Sequence, residues 1–144
     1  MDMKDLTQIL CHRPPMIFLD EVAEYGDDYL TAVVQIREGI PFYRNPDGVP
    51  AWVGIEYMAQ AIAAFAGIRA KNAGNPIPLG LLIGCRRYAA NRPGFAPGER
   101  IEVCIKELAA EEYGLGSFDC TLNLPETVAQ ARLSVYGGPR EAAP

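Results

Sequence analysis

The sequence of 144 residues contains one histidine, His12. Histidine is the commonest metal ligand in proteins and the only side chain whose ordinary pKa lies near neutrality. A single histidine excludes a histidine-rich metal centre, and we expect neither a metal nor a cofactor. It also leaves His12 as the obvious side chain for proton exchange near neutral pH.

Other shortages restrict the compartment and the partners. The four cysteines, at 11, 85, 104 and 120, form no Cys-x-x-Cys pair, which fits neither a zinc site nor a disulfide-stapled secreted domain. The first residues show no basic segment followed by an apolar run, so we expect no signal peptide and a cytoplasmic protein. Thirteen basic against eighteen acidic residues give a net charge of -5, which argues against a nucleic-acid partner.

Formal charge is also scarce between residues 49 and 68, where Glu56 is the only charged side chain. Twenty residues are long enough to span a bilayer, but Pro50, the many alanines and the polar Glu56 and Gln60 argue against a membrane span. Pro50 suits the first turn of a helix and Gly74 its end. We therefore predict a helix of about twenty residues that is enclosed by the rest of the protein.

The remaining segments favour strands. A short helical turn at 5–10 precedes extended segments at 16–20 and 29–37, and a loop rich in proline covers 40–50. Residues 115–124 and 128–136 alternate apolar and polar side chains, as strands with one buried face do. The fold class predicted is α+β, an antiparallel sheet wrapped around one long central helix. Two further strands are predicted at 81–88 and 101–108. We expect one domain over 1–136 and a loose tail over 137–144.

Glu56 is the first candidate for chemistry, because an ionised buried carboxylate is costly unless it is paired. Burial would favour its protonated form, which can donate a proton to a leaving group as a general acid. Gln60, one turn later on the same face, would orient the carboxyl. The alternatives are that Glu56 lies on an exposed strip or pairs with an arginine across a dimer contact.

His12 is the second candidate, as a general base; the alternative is a histidine that packs in a turn and bonds a backbone carbonyl. At the helix start near Ala51, unpaired N–H groups could polarise a carbonyl oxygen. We assign Ala51, Trp52 and Gln60 to the substrate-binding site.

Arginines are concentrated locally in this acidic protein. Arg86, Arg87 and Arg92 lie close together in the sequence, with Arg100 following. We predict that the first three bind an acidic carrier or a phosphate, the alternative being an ordinary solvated strand edge.

Several segments together resemble one known family. The stretch His-Arg-Pro-Pro-Met-Ile-Phe-Leu-Asp-Glu-Val at 12–22 is similar to the family's opening, and Glu56-Tyr-Met-Ala-Gln60 resembles the Glu-x-Met-Ala-Gln signature of its central helix. Arg92-Pro93 followed by Pro97-Gly-Glu99 resembles a later turn. The family is that of the bacterial hotdog-fold β-hydroxyacyl-acyl-carrier-protein dehydratases, and 49–58 looks most like its aryl-polyene subgroup.

The resemblance implies a hotdog fold, usually paired as a dimer with joined sheets and active sites at the interface. It implies a 3-hydroxyacyl chain of the fatty-acid or aryl-polyene type, carried on the phosphopantetheine of an acyl carrier protein, that loses water to give the 2,3-enoyl thioester. In the family, a histidine removes the proton α to the thioester and a helix carboxyl, here Glu56, protonates the departing hydroxyl. A helix N–H near the position of Ala51 holds the thioester oxygen.

The sequence departs from this family in the loop before the helix. The family's catalytic histidine belongs to a Gly-His-Phe-Pro loop, whereas the corresponding 41–50 is shorter and has no histidine. Our hypothesis is that His12 acts as the base. The alternatives are an impaired subunit that serves another hotdog subunit, which brings the histidine, and a thioesterase of the same fold. As partners we expect either a second copy of the chain, in a homodimer, or another hotdog subunit, in a heterodimer.

Overall fold

The computed structural model describes residues 3–77, 82–110 and 115–136. The described elements follow the predicted order, with strands before and after one long helix. They are β1 (Glu21–Tyr25), β2 (Tyr29–Gln35), β3 (Val49–Pro50), α1 (Gly54–Asn72), β4 (Leu82–Ala90), β5 (Gly94–Phe95), β6 (Arg100–Ala110), β7 (Leu115–Asn123) and β8 (Thr127–Tyr136). Short 3-10 turns at Leu6–Gln8 and Ala51–Val53 precede β1 and α1.

Six strands form one antiparallel sheet in the order β1-β2-β6-β7-β8-β4, and α1 packs against its β2, β6, β7 and β8 strands. The alternation predicted for the last two strands is confirmed. In β8, Ala131 and Leu133 are buried while Gln130 and Arg132 are exposed. Since the apolar face of the sheet and the buried side of α1 meet in one core, the predicted sheet around a long helix is confirmed.

The first predicted strand, at 16–20, is wrong, because the strand begins only at Glu21. The backbone groups of 16–19 are bonded to a side chain instead of a neighbouring strand. The Gln60 amide accepts from the N–H groups of Phe18 and Leu19 and donates to the carbonyl of Met16. The first ladder bond, from Asp20 N–H to the carbonyl of Val33, follows directly.

The loop at 40–50 ends in a two-stranded sheet that the sequence did not indicate. In it, Val49 pairs with Phe95 and Pro50 with Gly94. Gly48, just before it, has a φ of +100°, and a Cβ there would overlap the carbonyl oxygen of Phe95. The small sheet therefore requires a glycine at this position and fixes the chain where it enters the helix.

The N-terminal segment packs beside the second half of α1. Ile9 and Leu10 are fully buried, and the carbonyl of Ile9 approaches Gly67 so closely that a Cβ would overlap it. Gly67 lies eleven residues beyond Glu56, which is about 16 Å along a helix axis. The chain thus runs back along α1 from Ile9 towards the segment held by Gln60.

One side of α1 is not covered by the other described residues, and the prediction of an enclosed helix is wrong to that extent. The segment 51–72 is long and apolar enough to span a membrane by length and composition, yet 61% of its most apolar 18-residue window is buried inside the protein. Such burial is typical of a core helix. The uncovered stripe recurs every three or four residues at Trp52, Glu56, Ala59, Ala63 and Ala66, which are exposed or half-buried.

The predicted tail at 137–144 lies outside the described residues, so the domain boundary at 136 stays a prediction.

Candidate active site

Contacts from distant segments hold the start of α1. The N–H of Ala51 donates to the carbonyl of Pro93 at 3.0 Å. Its carbonyl accepts from the Tyr88 hydroxyl at 2.5 Å. The N–H of Ala51 itself is therefore not an unpaired donor, since β-sheet-like pairing beside β5 already uses that group. The expectation that a helix N–H near Ala51 holds the thioester oxygen stays a prediction.

Glu56 lies in the first turn of α1 and is exposed in the chain. The expectation that the fold itself buries this carboxylate is wrong, because Glu56 falls on the uncovered stripe while Tyr57 and Met58 turn into the core. Glu56 therefore occupies the position given by the alternative, in which it lies on an exposed strip of the helix. Trp52, one turn earlier on the same stripe, is 50% exposed. An acid and a large aromatic ring thus stand side by side on an open helix face.

Gln60 does not orient Glu56, although the two are one turn apart. Its side chain is buried, and the amide oxygen accepts from Phe18 N–H at 2.6 Å and from Leu19 N–H at 3.1 Å. The amide nitrogen donates to the carbonyl of Met16 at 2.9 Å. These bonds tie the segment at 16–19 to the helix, so Gln60 shapes the site through the backbone that it holds.

An aromatic row, composed of Trp52, Phe42, Phe18 and Tyr57, leads from this face into the core. Successive ring centroids are 5.3, 5.9 and 6.4 Å apart, and all three contacts are edge-to-face. Phe42 is 41% exposed and has a φ of +67°, a strained conformation for an aromatic residue. Sequence reasoning missed this row because its members come from three separate segments.

Tyr57 ends the aromatic row inside the protein. It is 2% exposed, and its hydroxyl has no hydrogen-bond partner among the described residues. Burial raises the pKa of Tyr57, and the nearby charge of Asp20 raises it further. The phenol therefore stays protonated and can act as a donor.

His12 lies between Leu10, in the core beside α1, and Met16, at Gln60. The ring is half-buried, and its Nδ1 stands 4.0 Å from the sulfur of Cys11. Among the described residues, no hydrogen bond joins His12 to Glu56. The structure places the two candidate catalytic residues beside the same helix without bringing them into contact within one chain.

The three arginines predicted to bind a carrier have different environments. The guanidinium of Arg92 makes a two-point ion pair with Glu99 at 2.6 and 3.0 Å and donates to the carbonyl of Gly94. These bonds lie in the turn between β4 and β6, so the guanidinium of Arg92 is already engaged within the chain. Arg87 is exposed and makes no ion pair in the described part of the chain. The side chain of Arg86 lies outside the described residues.

These features define a class. One antiparallel sheet packs on a long helix that presents a carboxylate near its N-terminus, in the arrangement of the hotdog fold. A family described as "ApeP-like: ApeP dehydratase" matches residues 4–143. The chain belongs to this ApeP-like dehydratase family.

Similar proteins agree with this assignment. A chain of the dehydratase heterocomplex ApeI:P from Xenorhabdus doucetiae superimposes with a TM-score of 0.86 at 25% identity, over 94% of this chain and 91% of that one. A homologue of HP0420 from Helicobacter felis shares the fold at 14% identity and a TM-score of 0.64, over 90% and 96% of the two chains.

Curated relatives match only in part. The 3-hydroxyacyl-[acyl-carrier-protein] dehydratase FabZ of Streptococcus uberis is 33% identical over 69 residues, which are 47% of this chain and 49% of that protein. The matching region thus spans about half the length of the curated relatives.

Replacing Gln60 tests its role in holding the segment at 16–19. Gln60→Leu removes three hydrogen bonds and leaves two backbone N–H groups without their acceptor, so we expect the free energy of unfolding to fall by about 2–4 kcal/mol. Urea unfolding measures the loss, and hydrogen exchange at the amides of Phe18 and Leu19 should accelerate. Gln130→Leu on the exposed face of β8 is the control. Unchanged protection of the two amides would contradict the assignment.

Proposed function

We propose that this chain is a subunit of a 3-hydroxyacyl-acyl-carrier-protein dehydratase, acting on fatty-acid or aryl-polyene-type acyl thioesters. The observation that carries the proposal is the position of Glu56, which stands in the Glu-x-Met-Ala-Gln segment of α1 and faces outwards beside Trp52. Membership in the ApeP-like family and the similarity to FabZ support this activity.

The elimination of water needs two groups, a base at the α carbon and an acid at the β-hydroxyl. A base removes the proton α to the thioester, and the Glu56 carboxyl protonates the departing β-hydroxyl, so that water leaves and the 2,3 double bond forms. Glu56 must be protonated for this step. A surface that covers the exposed stripe of α1 would favour the protonated form by removing water from the carboxyl.

A second hotdog subunit is the covering surface that we propose. The small side chains of Ala59, Ala63 and Ala66 allow another helix to approach α1 closely. The exposed rings of Trp52 and Phe42 add aromatic surface that a partner can cover. Strand β4 lies at the edge of the sheet and pairs only with β8 among the described strands, so its outer side is where a second sheet could join. The related ApeI:P assembly is a heterocomplex of dehydratase subunits.

For the base we propose His12. It is the only histidine of the chain, and the proposal requires that, in a pair of subunits, the His12 of one chain faces the Glu56 of the other. A specific observation favours a second function, that of a partner subunit: the loop at 40–50 has no histidine and no hydrogen bond links His12 to Glu56 among the described residues. In that case, the other hotdog subunit supplies the base.

For the carrier contact we propose Arg87, the exposed arginine on β4 that no described acid neutralises. An acyl carrier protein with an acidic surface would bind such a cation in an otherwise acidic protein. Arg92 is not proposed for this role, because its guanidinium forms an ion pair with Glu99. We also propose a cytoplasmic location, because the four cysteines show neither a Cys-x-x-Cys pair nor the framework of a disulfide-stapled secreted domain.

Removing the charge of Glu56 tests the acid. Glu56→Gln should lower turnover of a 3-hydroxyacyl thioester by about 100-fold or more, the usual contribution of a general acid, while the fold is retained because the residue is exposed. Formation of the enoyl thioester, followed by absorbance, is the measurement. Glu126→Gln, in the turn before β8, is the matched control. Wild-type turnover in Glu56→Gln would reject the acid, and release of free thiol without enoyl product would indicate a thioesterase.

Replacing His12 tests the base. If His12 removes the α proton, His12→Ala should lose about 100-fold or more of the turnover and keep the wild-type Tm. Full activity of the variant would contradict this role.

The purified chain should be assayed alone and after mixing with a second hotdog subunit. Activity that depends on that subunit, with His12→Ala as active as wild type in the mixture, would assign the base to the partner.

Reversing the charge at Arg87 tests the carrier contact. Arg87→Glu should raise the KM for an acyl-carrier-linked substrate by about fivefold, because it replaces an attractive charge with a repulsive one at an exposed contact. The KM for the same acyl group on free pantetheine should not change. Lys106→Glu, an exposed reversal on β6, serves as the control. An equal effect on both substrates would contradict a carrier contact.

A further inference from the structure

Tyr57 carries a buried hydroxyl that the proposed elimination does not use. The residue is 2% exposed, and its oxygen makes no hydrogen bond with any described residue. An unpaired buried hydroxyl destabilises a fold, whereas phenylalanine would fill the same space without that cost. The fold alone therefore gives no reason for a tyrosine at this position.

The groups around Tyr57 are already engaged with other partners. The nearby carboxylate of Asp20 accepts from the N–H of Gln35 at 2.6 Å and from the guanidinium of Arg37 at 3.0 Å. The amide of Gln60 is bonded to the segment at 16–19. Since burial keeps Tyr57 protonated, its hydroxyl is a donor without an acceptor in the described chain.

The aromatic row connects this hydroxyl with the surface next to Glu56. Trp52 and Phe42 are half exposed, Phe18 is half-buried and Tyr57 is enclosed, so the rings descend step by step from the open stripe of α1. Phe42, at the exposed end of the row, has a φ of +67°, a strained conformation of the kind that clusters at active sites and ligand clamps. On the far side, the ring of Phe95 stands 6.3 Å from that of Tyr57 and closes the row.

We propose that Tyr57 is a specificity-determining residue, whose hydroxyl donates a hydrogen bond to an oxygen atom at the far end of the acyl chain. This inference rests on the proposed function, because it takes an acyl thioester as the ligand. The reacting carbons stay at the exposed Glu56, and the chain passes Phe42 and Phe18 to reach the phenol. The preferred substrate is an acyl chain that ends in a hydroxyl, ether or carbonyl group.

Binding can be measured without turnover. The ligands are pairs of saturated acyl pantetheine thioesters of equal length that end in a methyl or a hydroxyl group; they lack the 3-hydroxyl and cannot lose water. Trp52 is the only tryptophan of the chain and contacts Phe42, so its fluorescence reports entry at the row. At the best chain length, the wild type should bind the hydroxyl-ended ligand about tenfold more tightly than a variant without the phenol hydroxyl does.

Tyr57→Phe provides that variant, and Tyr25→Phe on the exposed hairpin is the matched control. We expect Tyr57→Phe to lose the advantage of the hydroxyl-ended ligand and to bind the methyl-ended ligand as the wild type does. Tyr25→Phe should keep the wild-type preference. Melting curves establish that each variant is folded. If Tyr57→Phe does not fold, the test is whether the wild type binds the hydroxyl-ended ligand more tightly than the methyl-ended one.

Two results would overturn the proposal: a wild type that binds methyl-ended chains as well as hydroxyl-ended ones at every length, or a Tyr57→Phe variant that keeps the preference. Failure of the proposed function looks different. Absence of enoyl product together with a preference abolished by Tyr57→Phe would reject the dehydratase activity and retain the role of Tyr57. Enoyl product without any preference would reject the role of Tyr57 only.

Discussion

A single sheet can cover only one side of a helix, and this constraint organises the molecule. The six strands bury the side of α1 that carries Tyr57, Met58 and Phe65. The opposite side, with Glu56 and Trp52, has no second layer among the residues that the structure describes. The carboxylate of the family signature therefore lies where an incoming surface can enclose it together with a substrate. In our proposal the site is assembled from two surfaces, of which this side of α1 is one.

Contacts from distant parts of the sequence hold that prepared surface rigid. The turn before β5 and the hydroxyl of Tyr88 fix both backbone groups of Ala51, and Gln60 fixes the segment at 16–19. A glutamine in the middle of an apolar helix thus replaces a strand pairing. Because these bonds are partly or fully buried, water competes with them less than at the surface, and they hold the helix start in one position. Because Glu56 lies in the first turn of α1, these bonds also fix the direction in which its side chain leaves the helix.

The sequence predicts the local features well and the faces of the helix poorly. The alternating side chains of β7 and β8 reveal which face is buried, because a period of two has only two choices. In α1, alanine and glycine occupy so many positions that no apolar face stands out, and the exposure of Glu56 could not be read from the pattern. The role of Gln60 depends on backbone atoms, which leave no signature. The resemblance of 92–99 to a family turn indicated the turn but not the ion pair between Arg92 and Glu99, which engages an arginine that was predicted to bind a carrier.

The two ends of α1 differ in how completely their groups are satisfied. At the C-terminal end, Arg69 makes a two-point ion pair with Glu107, donates to the carbonyl of Asp27 and lies 4.5 Å from the ring centre of Phe65. At the N-terminal end, the Tyr57 phenol lacks a partner among the described residues, Phe42 adopts a strained backbone and the Glu56 carboxylate faces outwards. Local costs of this kind cluster at functional sites, since the surrounding structure must outweigh them. Their concentration at one end of α1, against the saturated contacts at the other, supports our proposal that the active site lies at the start of α1, on grounds separate from the similarity to known proteins.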